Sequence, residues 1–259
     1  MAFILTSKYD RTHGAIISTA TYRSSSNTVD GTVNKIVISI KDSMSNDYIT
    51  YIAYSSRDEL VNGYTKTCKL FPFNVQPPIT IKWSFEMQST AGVSISNDAE
   101  TVLEDYAQPE ILIIGENSSY ACYMDALITP TRNAMVTTYN TIQSAYPFVI
   151  YNSTNRYDTG KAEGFWAEWD DNLQDFDYDA KSNALFRNEI KEFLYDFKPK
   201  LIRYRDGSRW LVGISEQTIT EIRDKSDQHI GLSFGWTEIG LNDTDNLMGY
   251  NIAEGVVVS

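Results

Sequence analysis

The segment Ile79-Thr80-Ile81-Lys82-Trp83-Ser84-Phe85-Glu86-Met87 alternates apolar and other residues at every step, the period of two imposed on a strand that buries one face. Upstream, Val33 to Ile40 and Tyr48 to Tyr54 are both rich in strand formers. The polar run Asp42-Ser43-Met44-Ser45-Asn46-Asp47 between them marks a turn and predicts that the two strands pair. Pro77-Pro78 interrupts the chain before the alternating strand. Short strands punctuated by turns predict a small β-sandwich over residues 1–92. The polar stretch Gln88 to Asp98 is read as the boundary to a second domain, 93–240, followed by an unassigned C-terminal arm, 241–259.

Past that boundary Glu110-Ile111-Leu112-Ile113-Ile114 is a continuous apolar run between Pro109 and Gly115, the pattern of a strand buried on both faces. Ser119 to Ile128 reads as its hairpin partner across Gly115-Glu116-Asn117-Ser118. A second pair is expected from Tyr146 to Tyr151 and from Ala162 to Trp169, with the polar residues Asn152 to Lys161 as the turn. Phe186, Ile190, Phe193, Leu194 and Phe197 recur on one helical face. They predict a helix near 183–197 that lies against a sheet, with Ser182 or Asn183 as cap and Pro199 as stop. Lys200 to Tyr204 and Arg209 to Ile214 flank Asp206-Gly207, a dipeptide suited to a type I′ hairpin turn. A last strand is expected over Ile230 to Ile239.

Seventeen tyrosines and 13% aromatic residues in 259 favour strands throughout, so the fold class is mainly β: an N-terminal β-sandwich plus a β domain with one flanking α-helix. Acidic residues outnumber basic ones by 34 to 22. The resulting field repels polyanions and argues against tight nucleic-acid binding. No apolar run approaches the length of a membrane span, and the start Met1-Ala2-Phe3-Ile4-Leu5 lacks a basic flank and a cleavage site. A soluble chain without membrane contact or secretory address is therefore expected. Cys68 and Cys122 have neither disulfide-framework nor metal-ligand spacing and are expected as buried free thiols.

Candidate chemistry is sparse. The nucleophile elbow, phosphate loop and zinc-protease motifs do not occur, and Gly160-Lys161 lacks the upstream glycine and the hydroxyl residue a phosphate loop needs. His13 and His229, the only histidines, are expected as structural. Asp175, Asp177 and Asp179 alternate like the start of a calcium loop, with Asp170 and Asp171 nearby. Ala180 and Phe186 stand where such a loop requires Gly and Glu, so the cluster reads as a solvated loop near a helix N-terminus. Glu163 or Glu168 with a loop aspartate, beside Trp166 and Trp169, would be the raw material of a glycosidase. Strand alternation explains these residues more simply. No catalytic, cofactor-binding or metal-binding residue is assigned.

One ordered series carries a family resemblance. It runs Tyr146-Pro147-Phe148-Val149-Ile150-Tyr151-Asn152, Tyr157-Asp158-Thr159-Gly160-Lys161-Ala162-Glu163-Gly164-Phe165, then Glu192-Phe193-Leu194 and Lys198-Pro199-Lys200-Leu201-Ile202. It continues through Asp206-Gly207-Ser208-Arg209-Trp210-Leu211-Val212 to Phe234-Gly235-Trp236-Thr237-Glu238-Ile239-Gly240. The series, over roughly residues 110 to 240, resembles the tail-tip or baseplate proteins (distal-tail or tail-tube-like) of phages infecting Gram-positive bacteria of the Firmicutes. Asp196-Phe197-Lys198 departs from it, standing where a glycine-containing turn is common. The resemblance implies a β-sandwich or half-barrel with a flanking helix whose copies form a homo-oligomeric, six-fold ring. It also implies an architectural, non-enzymatic role in the virion tail, after synthesis in the bacterial host cytoplasm. The ring would join tail tube, hub and receptor-binding parts around a DNA channel, with no cofactor. The rival reading is a glycan-binding module that stacks exposed aromatics on sugars.

Overall fold

The structure is a computed structural model that describes residues 2–25, 28–45, 47–116, 118–139, 148–177, 180–215, 219–223, 230–252 and 255–258. It is mainly β, as expected, and divides into two compact units: residues 1–108 with 253–259, and residues 109–252.

Unit 1 opens with β1 (Ala2–Asp10), β2 (Ala15–Arg23), β3 (Gly31–Lys41), β4 (Ile49–Ser55) and β5 (Glu59–Leu60). It continues through β6 (Thr65–Leu70), β7 (Ile79–Ser89) and β8 (Ser94–Leu103). One sheet has the order β4-β3-β7-β8, with β5 beside β3, and a second contains β1-β2-β6. The expected pairing of β3 with β4 is present and antiparallel. The alternation of β7 sends Ile79, Ile81, Trp83, Phe85 and Met87 into the core. In β3 a bulge between Val33 and Lys35 switches the parity, which is why Val33 and then Ile36, Ile38 and Ile40 are all buried. The two sheets meet through Phe3, whose ring stacks on Phe85 at 3.7 Å, and through the Trp83 indole N–H, which donates to Ser18 Oγ at 3.0 Å.

The boundary expected at 92/93 falls in the turn of the β7–β8 hairpin, because β8 pairs with β7 from Ile79↔Leu103 to Gln88↔Ser94. Polar composition there reflects a strand whose side chains are mostly exposed. The units part in sequence at Gln108/Pro109 instead.

Unit 2 contains β9 (Ile111–Ile114), β10 (Ser119–Cys122), β11 (Met124–Tyr139), β12 (Phe148–Phe165), β13 (Trp169–Asp170) and β14 (Asp175–Phe176). There follow α1 (Ala180–Leu194), β15 (Lys200–Tyr204), β16 (Arg209–Ile214), β17 (Thr220–Arg223), β18 (Ile230–Gly240) and α2 (Thr244–Gly249). An eight-stranded sheet runs β10-β9-β15-β16-β18-β12-β11, with β17 also on β18. β9 is buried on both faces, as its apolar run predicts. Phe186, Ile190 and Leu194 of α1 join Ile113, Ile202, Val212, Phe234 and Trp236 of the sheet in one core. Gly160 pairs directly with Trp236. A Cβ there would lie 2.4 Å from the indole ring, so glycine is required by packing and not by phosphate chemistry.

Four expectations change in unit 2. The partner of β9 ends at Cys122, and Asp125, at φ 50°, lies where the register of β11 shifts. Phe148–Phe165 is one strand, so no turn separates Asn152 from Lys161, while Tyr146 and Pro147 lie outside the described residues. α1 begins at Ala180, which places Asn183 inside it, and it ends at Leu194, leaving Phe197 off the buried stripe at 95% exposure. The β15–β16 hairpin forms at Asp206-Gly207, but only Gly207 has positive φ, at 93°, and its N–H donates to Tyr204 O at 3.0 Å. That is a three-residue loop with glycine in the left-handed position after the turn, not a type I′ turn.

The expected arm 241–259 is no single piece. Asp243 caps α2 by accepting from Asn246 N, and β19 (Gly255–Val258) then pairs antiparallel with β6, from Gly255↔Leu70 to Val258↔Thr67. Unit 1 is thus completed by the last strand of the chain, and residues 109–252 are an insertion between β8 and β19.

Candidate functional site

The acidic segment is a short hairpin built on β13 and β14. Asp170 Oδ1 accepts from Asn172 N at 2.7 Å, Asp175 Oδ1 accepts from Phe176 N at 2.8 Å, and Asp171 is exposed. Asp177 N donates to Glu168 O at 2.8 Å, and Asp179 lies outside the described residues. The carboxylates of Asp170 and Asp175 therefore bond to the backbone of their own loop. Among the described residues no three His, Cys, Asp or Glu side chains gather as metal ligands.

The carboxylates and tryptophans set aside as glycosidase material do not gather into a site. Trp166 is fully buried and packs near Phe234, while Trp169 meets Phe176 edge-on at 5.1 Å. Glu163 pairs at 3.4 Å with Lys161, two residues before it on the same face of β12, and Glu168 is exposed. Trp83, Trp210 and Trp236 are also buried. His13 sits in the β1–β2 turn with Nδ1 2.9 Å from Asp10 Oδ2. Burial raises the pKa of Asp10, but the bonds and charge of His13 leave the net shift downward. His229 lies outside the described residues. Cys68 and Cys122 are buried free thiols, as expected, and burial pushes each up to about 12.

The feature that sequence reasoning missed is the length of the β11–β12 hairpin. β12 pairs with β18 only from Thr159↔Thr237 to Gly164↔Leu232. Its pairing with β11 runs on from Asp158↔Arg132 to Phe148↔Tyr139, with a register break between Ala134 and Val136. Beyond Thr159 the two strands form a ribbon with no third strand on either edge among the described residues. At about 3.3 Å per residue, eight residues extend it by about 25 Å. The signal in the sequence was the density of β-branched and aromatic residues on both strands, masked by the polar Asn152 to Asn155.

Asp158 stands where the ribbon leaves the sheet. Its carboxylate is ion-paired with Arg132 through Nε and accepts from Trp210 Nε1 at 3.1 Å. Its backbone N–H donates to Glu238 Oε2 at 2.8 Å. Strands β11, β12, β16 and β18 are tied together at this one residue, which aims the ribbon. Such edges carry unpaired N–H and C=O groups, and a two-stranded ribbon alone is marginal in water. The arrangement can complete another sheet.

Compared with known proteins, the chain matches no family model and no curated protein sequence.

Proposed function

We propose that this chain is a non-enzymatic structural component of a phage tail tip or baseplate, assembling with copies of itself into a ring, six-fold by the resemblance. The carrying observation is the β11–β12 ribbon, which extends beyond its own sheet with both edges unpaired among the described residues. Heterologous contacts of this kind close into a ring when the rotation between copies permits. The ordered resemblance over roughly residues 110 to 240 supports placing that ring in a tail, next to tube, hub and receptor-binding parts. An excess of acidic residues, 34 against 22, suits a channel wall past which DNA moves without adhering. The glycan-binding alternative draws no support from the tryptophans, since Trp83, Trp166, Trp210 and Trp236 are buried.

The test is electron microscopy of the purified protein over a wide concentration range, with mass measured in parallel. Closed rings with a central channel are expected. Monomers at every concentration, together with saccharide binding in a glycan screen, would replace this reading with the glycan-binding one.

A further inference from the structure

Helix α1 has two faces. Phe186, Ile190 and Leu194 enter the core, while Leu185, Asn188, Glu189 and Glu192 point away from it and are exposed. With Asp196 just past the helix end, the second set recurs at intervals of three or four residues, so it forms one stripe. This stripe faces the turn between β9 and β10, and the two enclose an open groove of about 650 Å³.

The floor of the groove is apolar. Tyr120, 8% exposed, meets the half-buried Phe193 ring at 5.0 Å, and Leu185 is 60% exposed beside them. The rim is acidic, formed by Glu116, Glu189, Glu192 and Asp196. Two of these carboxylates are already matched: Lys198 Nζ bonds Glu116 at 2.5 Å, and the buried Lys200 ammonium bonds Asp196 while lying 4.6 Å over the Phe193 ring. Lys198 holds the Glu116 carboxyl below its usual range. Glu189 and Glu192 have no ion-pair partner among the described residues, and the lining includes no Lys or Arg.

We infer that the groove along α1 is a docking site for a basic polypeptide segment of a neighbouring protein, one that alternates Lys or Arg with apolar residues. The apolar residues would cover Leu185 and Phe193, and the cations would meet Glu189 and Glu192. Charge complementarity selects this occupant. A nucleic acid is repelled by the rim, and a second copy of a chain with net charge −12 brings further negative charge. The inference is independent of the ring reading, which concerns the β11–β12 ribbon.

The probe is a short dye-labelled peptide alternating Lys and Leu, titrated with the full chain and followed by fluorescence anisotropy at low salt, with a Glu-Leu peptide alongside. Binding of the Lys-Leu peptide alone is expected, weakened about tenfold by Glu189→Gln with Glu192→Gln and lost as salt is raised. Leu185→Ser should weaken it too. Removing two charges elsewhere, by Glu59→Gln with Glu104→Gln on exposed positions of unit 1, should leave it unchanged. No binding by the native chain, or an equal loss in the Glu59/Glu104 variant, overturns the inference. So does a self-associated form that dissociates in the Glu189/Glu192 variant, since the occupant would then be a second copy. Mass measured on the same samples separates this result from ring formation.

Discussion

Replacing Asp158 tests what holds the root of the ribbon. Its carboxylate serves two partners of unlike surroundings: the Arg132 side chain is 65% exposed, whereas Trp210 is 8% exposed. When Asp158→Ala removes the acceptor, Arg132 is hydrated by water already around it, so that half of the interaction costs little. The Trp210 indole N–H, 3.1 Å from Asp158 Oδ2, is left in the core without its acceptor, at a cost of about 1–3 kcal/mol. Asp158→Asn removes the charge but keeps a carbonyl oxygen for Trp210, and should cost about 0.5–1 kcal/mol. Arg132→Ala should be the mildest. Four of the five tryptophans, Trp166, Trp169, Trp210 and Trp236, lie in unit 2, so tryptophan fluorescence in urea follows that unit. With an m-value of about 2 kcal/mol/M, Asp158→Ala should lower the midpoint by about 1 M and Asp158→Asn by under half of that. If Arg132→Ala proved as damaging as Asp158→Ala, or the two Asp158 variants proved equal, the surface ion pair and not the buried hydrogen bond would be the fastening.

Phe197 has φ 59° and is 95% exposed, so Phe197→Gly relieves a left-handed conformation that costs about 1–2 kcal/mol without giving up burial. After the added entropy of the unfolded glycine, a net gain of about 0.5 kcal/mol in stability, read from a raised urea midpoint, is expected; an equal gain from Phe197→Ala would show that the backbone is not the cause. Glu221 is hydrogen-bonded by Lys191 at 2.7 Å and lies 3.5 Å from Arg187, and the Lys191 bond holds its carboxyl below the ordinary value of 4.5. A depressed carboxyl contributes stability above its ordinary pKa and loses it as pH falls through the folded value. Glu221→Gln should therefore lower the melting temperature near pH ~7 and make little difference near pH ~3, as read by calorimetry; an equal loss at both would assign the effect to packing. Cys68 and Cys122, pushed up to about 12 by burial, should resist a thiol-specific disulfide reagent in the native chain and both react in denaturant. Rapid reaction of native protein would contradict their burial.

Features that local periodicity encodes can be read directly along the chain. The buried alternation of β7, the doubly buried β9, the apolar stripe of α1 and the placement of the β15–β16 hairpin were all legible, because each depends on which faces of one short segment avoid water. Where a rule needed backbone detail it was only partly right, as at Asp206-Gly207, where the dipeptide located the turn but the three-residue loop set its type. The candidate site was less legible still. Polar residues 152–161 carry turn composition, yet 156–161 continue β12 because they pair with β11, and from Thr159 onward with β18, while 152–155 fall at the register break opposite Ala134 to Val136. Long-range pairing and packing assign β8 to unit 1 despite its polar side chains, return β19 to β6, and close a groove between the outer stripe of α1 and the β9–β10 turn. Each of these joins residues far apart in the chain through backbone pairing or shape, and neither leaves a mark on the local pattern of apolar and polar positions.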